Sequence, residues 1–164
     1  MKRGIALAAL AAVVFLACSP ARANAFRIGP SVGVRGGATP IGVALSLELE
    51  DKIWLELQYS YMNFHDSQIS VIRTGMVYRA PVNDQWEWFA GGGPVTMPTH
   101  IDARGGTSAS DVTAIGLGID VGASWRISDK MLASGYIEYA NAGGSDVEIS
   151  YTGLGLRLDF ELGK

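Results

Sequence analysis

Few residues in this chain have the types and spacing that covalent chemistry needs. His65, Asp66 and Ser67 follow one another in "FHDSQ" (64–68), a nucleophile near a general base. Neighbours on an extended strand point to opposite faces, so His65 and Asp66 diverge while His65 and Ser67 share a side. A solvated connection between strands is the reading these residues support. His100 lies in another connection, and the chain has 2 histidines and 1 cysteine in all. That is not the spacing of a metal site, so neither a metal nor another cofactor is expected. "GGG" (91–93) is followed by Pro94 and not by a helix start. It marks a bend or a close approach of backbones in a sheet, not a phosphate cradle. No residue is expected to be catalytic.

The larger set of chemistry-bearing residues is a series of charges on one side of alternating runs. Arg27, Glu48, Glu56, Glu87, Asp120, Arg126, Glu138, Arg157 and Asp159 share faces with Gly, Ala and Ser. Arg73 and Arg79 join them if their strand turns the same way. Charges of both signs enclosed in a narrow space satisfy one another as ion pairs. A filled, structural interior is the expected use, with a narrow ion path as the alternative.

Such charges need strands to position them. Eight strand-like runs follow residue 25, at roughly 26–35, 41–50, 53–62, 68–80, 85–95, 111–127, 131–141 and 147–160. In "IWLELQYSYM" (53–62), Ile53, Leu55, Leu57, Tyr59 and Tyr61 oppose Trp54, Glu56, Gln58 and Ser60. "IGVALSLELE" (41–50) and "GLGLRLDF" (153–160) alternate in the same way. "LEDKI", "APVNDQ" and "RISDKM" read as tight turns. "RGGATP", "NFHDS", "TMPTHIDARGGTSAS" and "NAGGSD" read as looser loops. The two kinds alternate, so turns gather at one end and loops at the other. The apolar faces are continuous and bulky, whereas the polar faces carry Gly, Ser and charges. An eight-stranded barrel has interior room for side chains only, which suits small and paired polar residues inside. The expected architecture is therefore all-β: an eight-stranded antiparallel up-and-down transmembrane β-barrel with its apolar face in lipid. A soluble lipocalin-like barrel is the structural alternative. Trp54, Trp86, Trp88, Trp125 and Phe160 lie near the turns; Tyr59, Tyr61, Tyr139 and Tyr151 lie near the loops. Two aromatic groups at opposite strand ends fit the two interfaces of a bilayer.

The start of the chain supports export. Lys2 and Arg3 precede an apolar run at 5–17, and Ala23-Asn24-Ala25 supplies small residues for cleavage. Residues 1–25 are expected to be a signal peptide and 26–164 the barrel domain. Lipidation of Cys18 is a weaker option, because Phe15 and Leu16 fit that pattern poorly. The 13 basic residues less Lys2, Arg3 and Arg22 leave 10 against 16 acidic ones, a net charge of −6. That balance argues against nucleic acid as a partner.

The second half of the chain resembles the small eight-stranded outer-membrane proteins of Gram-negative bacteria, the OmpA-type barrel and opacity-protein group. "WRISDKMLASGYIEYANAGG" (125–144) is similar to their penultimate hairpin, and "GLGLRLDF" to their closing strand. The chain departs from many members by continuing past Phe160 with "ELGK". The resemblance implies the outer membrane as location, with membrane lipids and lipopolysaccharide around the wall. It also implies recognition of the last strand by the barrel-assembly machinery, and loops that meet an extracellular ligand. Lipid A 3-O-deacylases are barrels of this size whose last hairpin carries a His-x-Ser pair before Asn-Ala-Gly. Here "EYANAG" (138–143) has Glu138 and Ala140 at those places, so base and nucleophile are both missing. The resemblance therefore implies a structural or surface-interaction protein and not an enzyme, with a deacylase-like enzyme or a small-solute channel as alternatives.

Overall fold

Alternation of period two produces eight strands: β1 (Phe26–Arg35), β2 (Ile41–Glu50), β3 (Ile53–Phe64), β4 (Ser67–Pro81), β5 (Trp86–Ile101), β6 (Ser110–Ser128), β7 (Met131–Gly143) and β8 (Glu148–Leu162). The structure, a computed structural model, describes residues 25–64, 67–101, 110–144 and 147–162. The expected signal peptide with Cys18, and His65 and Asp66, lie outside the described residues. Each strand pairs antiparallel with the next, and β8 returns to β1 to close the barrel. Closure leaves no sheet edge along the wall, so the backbone polar groups are paired within it.

The turns at one end follow their residues. Asp51–Lys52 joins β2 to β3 with Lys52 at φ 69°. In the β4–β5 turn the Asn83 side-chain oxygen accepts from the backbone N–H groups of Gln85 and Trp86, both at 2.9 Å. The opposite end differs from expectation at "RGGATP". Gly36 and Gly37 take φ of 54° and 90°, which lets Arg35 and Ala38 exchange backbone hydrogen bonds of 2.9 and 2.8 Å. This is a tight hairpin turn and not a loose loop, because two successive positive φ values match strand twist. β5 is also longer than expected. It runs through Pro94 and Pro98 because their missing N–H groups face β4, where pairing skips from Arg73↔Val95 to Met76↔Gly92 and from Ile69↔Thr99 to Ile72↔Thr96. On the β6 side the ladder is continuous.

The two faces separate by chemistry. On the outside, Ile115, Leu117, Ile119 and Val121 of β6 are 64%, 69%, 60% and 52% exposed. Inside, Asp120 is buried, with Arg27, Glu56, Arg73, Arg79, Glu138, Arg157, Asp159 and Glu161. Small residues let the wall and its filling meet closely. A Cβ on Gly155 would lie 2.1 Å from the Tyr136 ring, and one on Gly93 2.1 Å from the Thr74 carbonyl oxygen. The interior is not polar throughout. Toward the loop end Met62, Ile69, Val71, Val95, Met97, Ala114, Ala140 and Ala142 form a buried apolar cluster. Ala38, Val147, Ile149 and Tyr151 pack against or within it.

The aromatic expectation needs two corrections. Trp86, Trp88, Trp125, Tyr139 and Phe160 do face outward and are exposed. Tyr59 and Tyr61 are half-buried on that same face. Trp54, however, is 4% exposed and lies inside the barrel. It shares parity with Glu56, and strand parity overrides any interfacial preference of tryptophan. Tyr151 also turns inward, 4.8 Å beneath the Arg35 guanidinium.

Candidate functional site: the interior charge network

Glu56 is the hub of the interior. Its place on β3 aims it at the axis, and two strands, β4 and β8, deliver three arginines to it. Arg73 of β4 meets it at 3.0 Å, Arg79 of β4 at 3.2 Å and Arg157 of β8 at 3.1 Å. The Ser46 hydroxyl donates to the same carboxylate at 3.0 Å. Each arginine then reaches a second acid: Arg73 to Asp120 at 2.8 Å, Arg79 to Glu87 at 3.0 Å, Arg157 to Asp159 at 2.9 Å. Arg27 extends the network toward the turn end through Glu87 at 2.7 Å and Glu161 at 3.2 Å. Arg126, at the partly open mouth, approaches Glu161 at 3.8 Å. At the loop end of the network Arg35 pairs with Glu138 and donates to Ser60 at 2.7 Å. Glu48 is half-buried near the turn end.

In these pairs six arginines meet six carboxylates. Balance matters because an unpaired charge away from water is costly, whereas a paired and hydrogen-bonded one is tolerated. Aromatic rings fill the gaps between the cations. Trp54 lies 4.4 Å from Arg27 and 5.6 Å from Arg79; Phe89 lies 4.9 Å from Arg79 and 5.8 Å from Arg157. The order Arg27, Trp54, Arg79, Phe89, Arg157 is a stack of alternating cations and rings, each attracted to the ring quadrupole beside it. Gln58 donates to the Tyr136 hydroxyl at 3.1 Å, bracing β3 against β7 across the lumen.

The arrangement fills the lumen with paired side chains. Ser46 and Ser134 donate to Glu56 and Asp159, and both carboxylates are also held by arginines. Glu138 of "EYANAG" is held by Arg35, and Ala140 sits in the apolar cluster. His100 and Asp111 meet at 2.6 Å on the outer surface of β5 and β6, far from any inward-facing serine of the network.

Several members were hidden from the sequence. Arg73 and Arg79 share β4's inward set with Ile69, Val71 and Val77, while Ser70 and Thr74 face out. Both faces of β4 mix polar and apolar residues, so only the pairing with β3 fixes the direction. Glu161 belongs to the "ELGK" continuation, and its parity with Arg157 and Asp159 was the available signal. Arg35 has the same relation to Arg27. Nothing in the sequence marks Trp54, Phe89 or Tyr136 as interior fillers beyond their parity.

No protein-family model matches the chain, and no curated protein matches it. Solved structures do. The N-terminal β-barrel domain of OprF from Pseudomonas aeruginosa matches with a TM-score of 0.67 and 14% identity, over 84% of this chain and 98% of that one. Neisserial surface protein A matches with 0.63 and 13%, over 85% and 95%. Ail, the attachment invasion locus protein of Yersinia pestis, matches with 0.56 and 9%, over 84% and 95%. Ail has also been solved in complex with the heparin analogue sucrose octasulfate. At these identities the likeness is one of fold: this chain has the architecture of the small eight-stranded outer-membrane barrels.

Proposed function

We propose that the protein is an integral outer-membrane barrel of a Gram-negative envelope, exported by a signal peptide at 1–25, with a structural or surface-interaction role. The observation that carries this is the pairing of an apolar outer wall with a filled, charge-balanced interior. A water-soluble barrel has no use for Leu117, Leu154 and Leu156, each more than half exposed, around a core of ion pairs. Membrane lipid is the partner of that wall. Barrel-assembly machinery would receive β8, whose outward Leu154, Leu156, Leu158 and Phe160 form one apolar row. The network acts as a plug that ties seven strands together through ion pairs and β2 through Ser46, and the non-enzymatic reading follows from the occupied carboxylates. The described loop-end surface offers Glu148 and an Asp111 already paired with His100, with Arg35 turned inward. Binding of a sulfated sugar, as in Ail, is therefore not carried over.

Fractionation tests this reading. The mature chain should be recovered in the outer membrane and migrate faster unboiled than boiled. Recovery as a soluble periplasmic protein would end it. An acyl-chain difference in lipid A between cells with and without the protein would replace the non-enzymatic role with an enzymatic one. Stable single-channel openings in planar bilayers would replace the plug with an ion path.

A further inference from the structure

The hydrophobic alternation slips by one residue in strand after strand as the wall nears the loop end. On β3 the apolar positions are Leu57, Tyr59 and Tyr61, then Met62. On β4 the inward Val77 near the turn end packs with Trp54 and Phe89; read toward the loops, the outward apolar positions are Tyr78, Met76 and Ile72, and the apolar residues beyond them, Val71 and Ile69, face in. On β7 they are Ile137 and Tyr139, then Ala140 and Ala142; on β8, Leu156 and Leu154, then Tyr151 and Ile149. An extra residue in the strand is the ordinary cause of such a slip. None is present here. Pairing of β3 with β4 runs unbroken from Ile53↔Tyr78 to Phe64↔Ser67, and that of β7 with β8 from Met131↔Phe160 to Gly143↔Glu148. The register shifts that do occur, at Glu48/Glu50 and Arg126/Ser128, lie at the turn end.

The backbone is regular, so the surroundings must invert. Below the slip the outward face is apolar, and the ion pairs face in with Trp54, Val77, Phe89, Leu132 and Tyr136 filling the space between them. Above it Met62, Val71, Met97, Ala114, Ala140 and Ala142 are buried inside. Asn63, Ser70, Thr113, Asn141, Ser150 and Thr152 face out at that level, by parity with the outward residues below them. An apolar interior under a polar exterior is what a strand adopts when water lies outside, since burial of apolar area then drives packing. An apolar exterior is stable where the outside is hydrocarbon. On β6 the outward apolar run from Ile115 to Trp125 covers ten residue steps. At about 3.4 Å per step and about 40° of tilt, that is roughly 25 Å, the height of a membrane barrel's apolar band.

We propose that the outer boundary of the bilayer crosses the wall at this slip, at the level of Tyr61, Ile72, Ile115, Tyr139 and Leu154. Above it the barrel continues as a water-soluble type of barrel, whose uncharged hydroxyl and amide side chains face the hydrated headgroup layer. This inference rests on the membrane reading above and adds where the membrane ends. The loops are then not the only exposed part: the wall itself offers a polar surface, sealed from the lumen network by its apolar core.

Nitroxide labels at single cysteines in the full chain, with Cys18→Ser as background and phosphatidylcholine vesicles as host, test it. Collision rates with oxygen, which favours hydrocarbon, and with a water-soluble nickel chelate are compared. Labels at Leu117 and Leu156 should favour oxygen, and labels at Thr113 and Ser150 the chelate, with a several-fold change in ratio across two outward positions of β6. Oxygen preference at all four places would overturn the boundary while leaving the membrane reading intact. Chelate preference at Leu117 and Leu156 would overturn the membrane reading itself. A second measurement uses charge. Thr113→Asp should leave the urea midpoint of folding unchanged, whereas Met97→Asp should lower it. The reverse order would place lipid outside Thr113 and polar space around Met97, and the inference would fail.

Discussion

Glu56→Gln is the sharpest probe of the interior. The substitution keeps size and shape but removes the charge that Arg73, Arg79 and Arg157 share at 3.0, 3.2 and 3.1 Å. The Glu56 side chain is 2% exposed, so bulk water does not take over as counter-charge. Removing one partner of a buried pair costs about 3–5 kcal/mol. Two features set the loss at the lower end. Glutamine still accepts a hydrogen bond, and each arginine retains a second acid in Asp120, Glu87 or Asp159. The expected loss is thus about 3 kcal/mol, roughly a hundredfold in the folding equilibrium at about 1.4 kcal/mol per tenfold. Urea titration of refolding into lipid vesicles, followed by heat-modifiable migration, reads this directly. Asp51→Asn is the control. Asp51 is 90% exposed at a turn, and a change there should stay within about 0.5 kcal/mol. Combining Glu56→Gln with Arg157→Met should cost less than the sum of the two, because the second change removes a charge that the first left uncompensated. A loss below about 1 kcal/mol for Glu56→Gln would match the worth of a solvent-screened pair. The plug would then be wrong, and a water-filled path through the network would take its place.

Three further outcomes follow from other parts of the wall. Ile119→Arg puts a charge on the outer face near the middle of the Ile115–Trp125 belt and should cost about 2–4 kcal/mol in the same titration; Gly118→Ala next to it faces inward, its Cβ 3.3 Å from the Arg73 side chain, and should be milder. Gly155→Ala should destabilise because its Cβ meets the Tyr136 ring, and Tyr136→Ala in the same chain should restore part of the loss; if it restores nothing, the ring is not the obstacle. Brominated lipids should quench Trp86, Trp88 and Trp125 but not Trp54, as read from single-tryptophan variants, and strong quenching of Trp54 would turn β3 inside out.

The strands, their number and the two faces of most of them are legible in the order of residues alone. A strand has a side-chain period of two, and in β6 one set (Ile115, Leu117, Ile119, Val121) is bulky and apolar while the other (Gly116, Gly118, Asp120, Gly122) is small or charged. Such a contrast survives any neighbouring arrangement. The partial inversion at the loop end was present in the same letters, in "SVIR" (70–73) and "EYAN" (138–141). It carried no meaning until regular pairing ruled out a bulge. Only the closed structure decided which charges meet. Glu56 and Arg157 are 101 residues apart by their numbers and touch because β8 closes on β1 and both side chains reach the axis. Trp54 and Tyr151 went inside for the same reason: parity set their direction, and closure placed arginines there to receive them. Periodicity is a property of one strand, whereas an ion pair across a lumen depends on the register of every ladder between its partners.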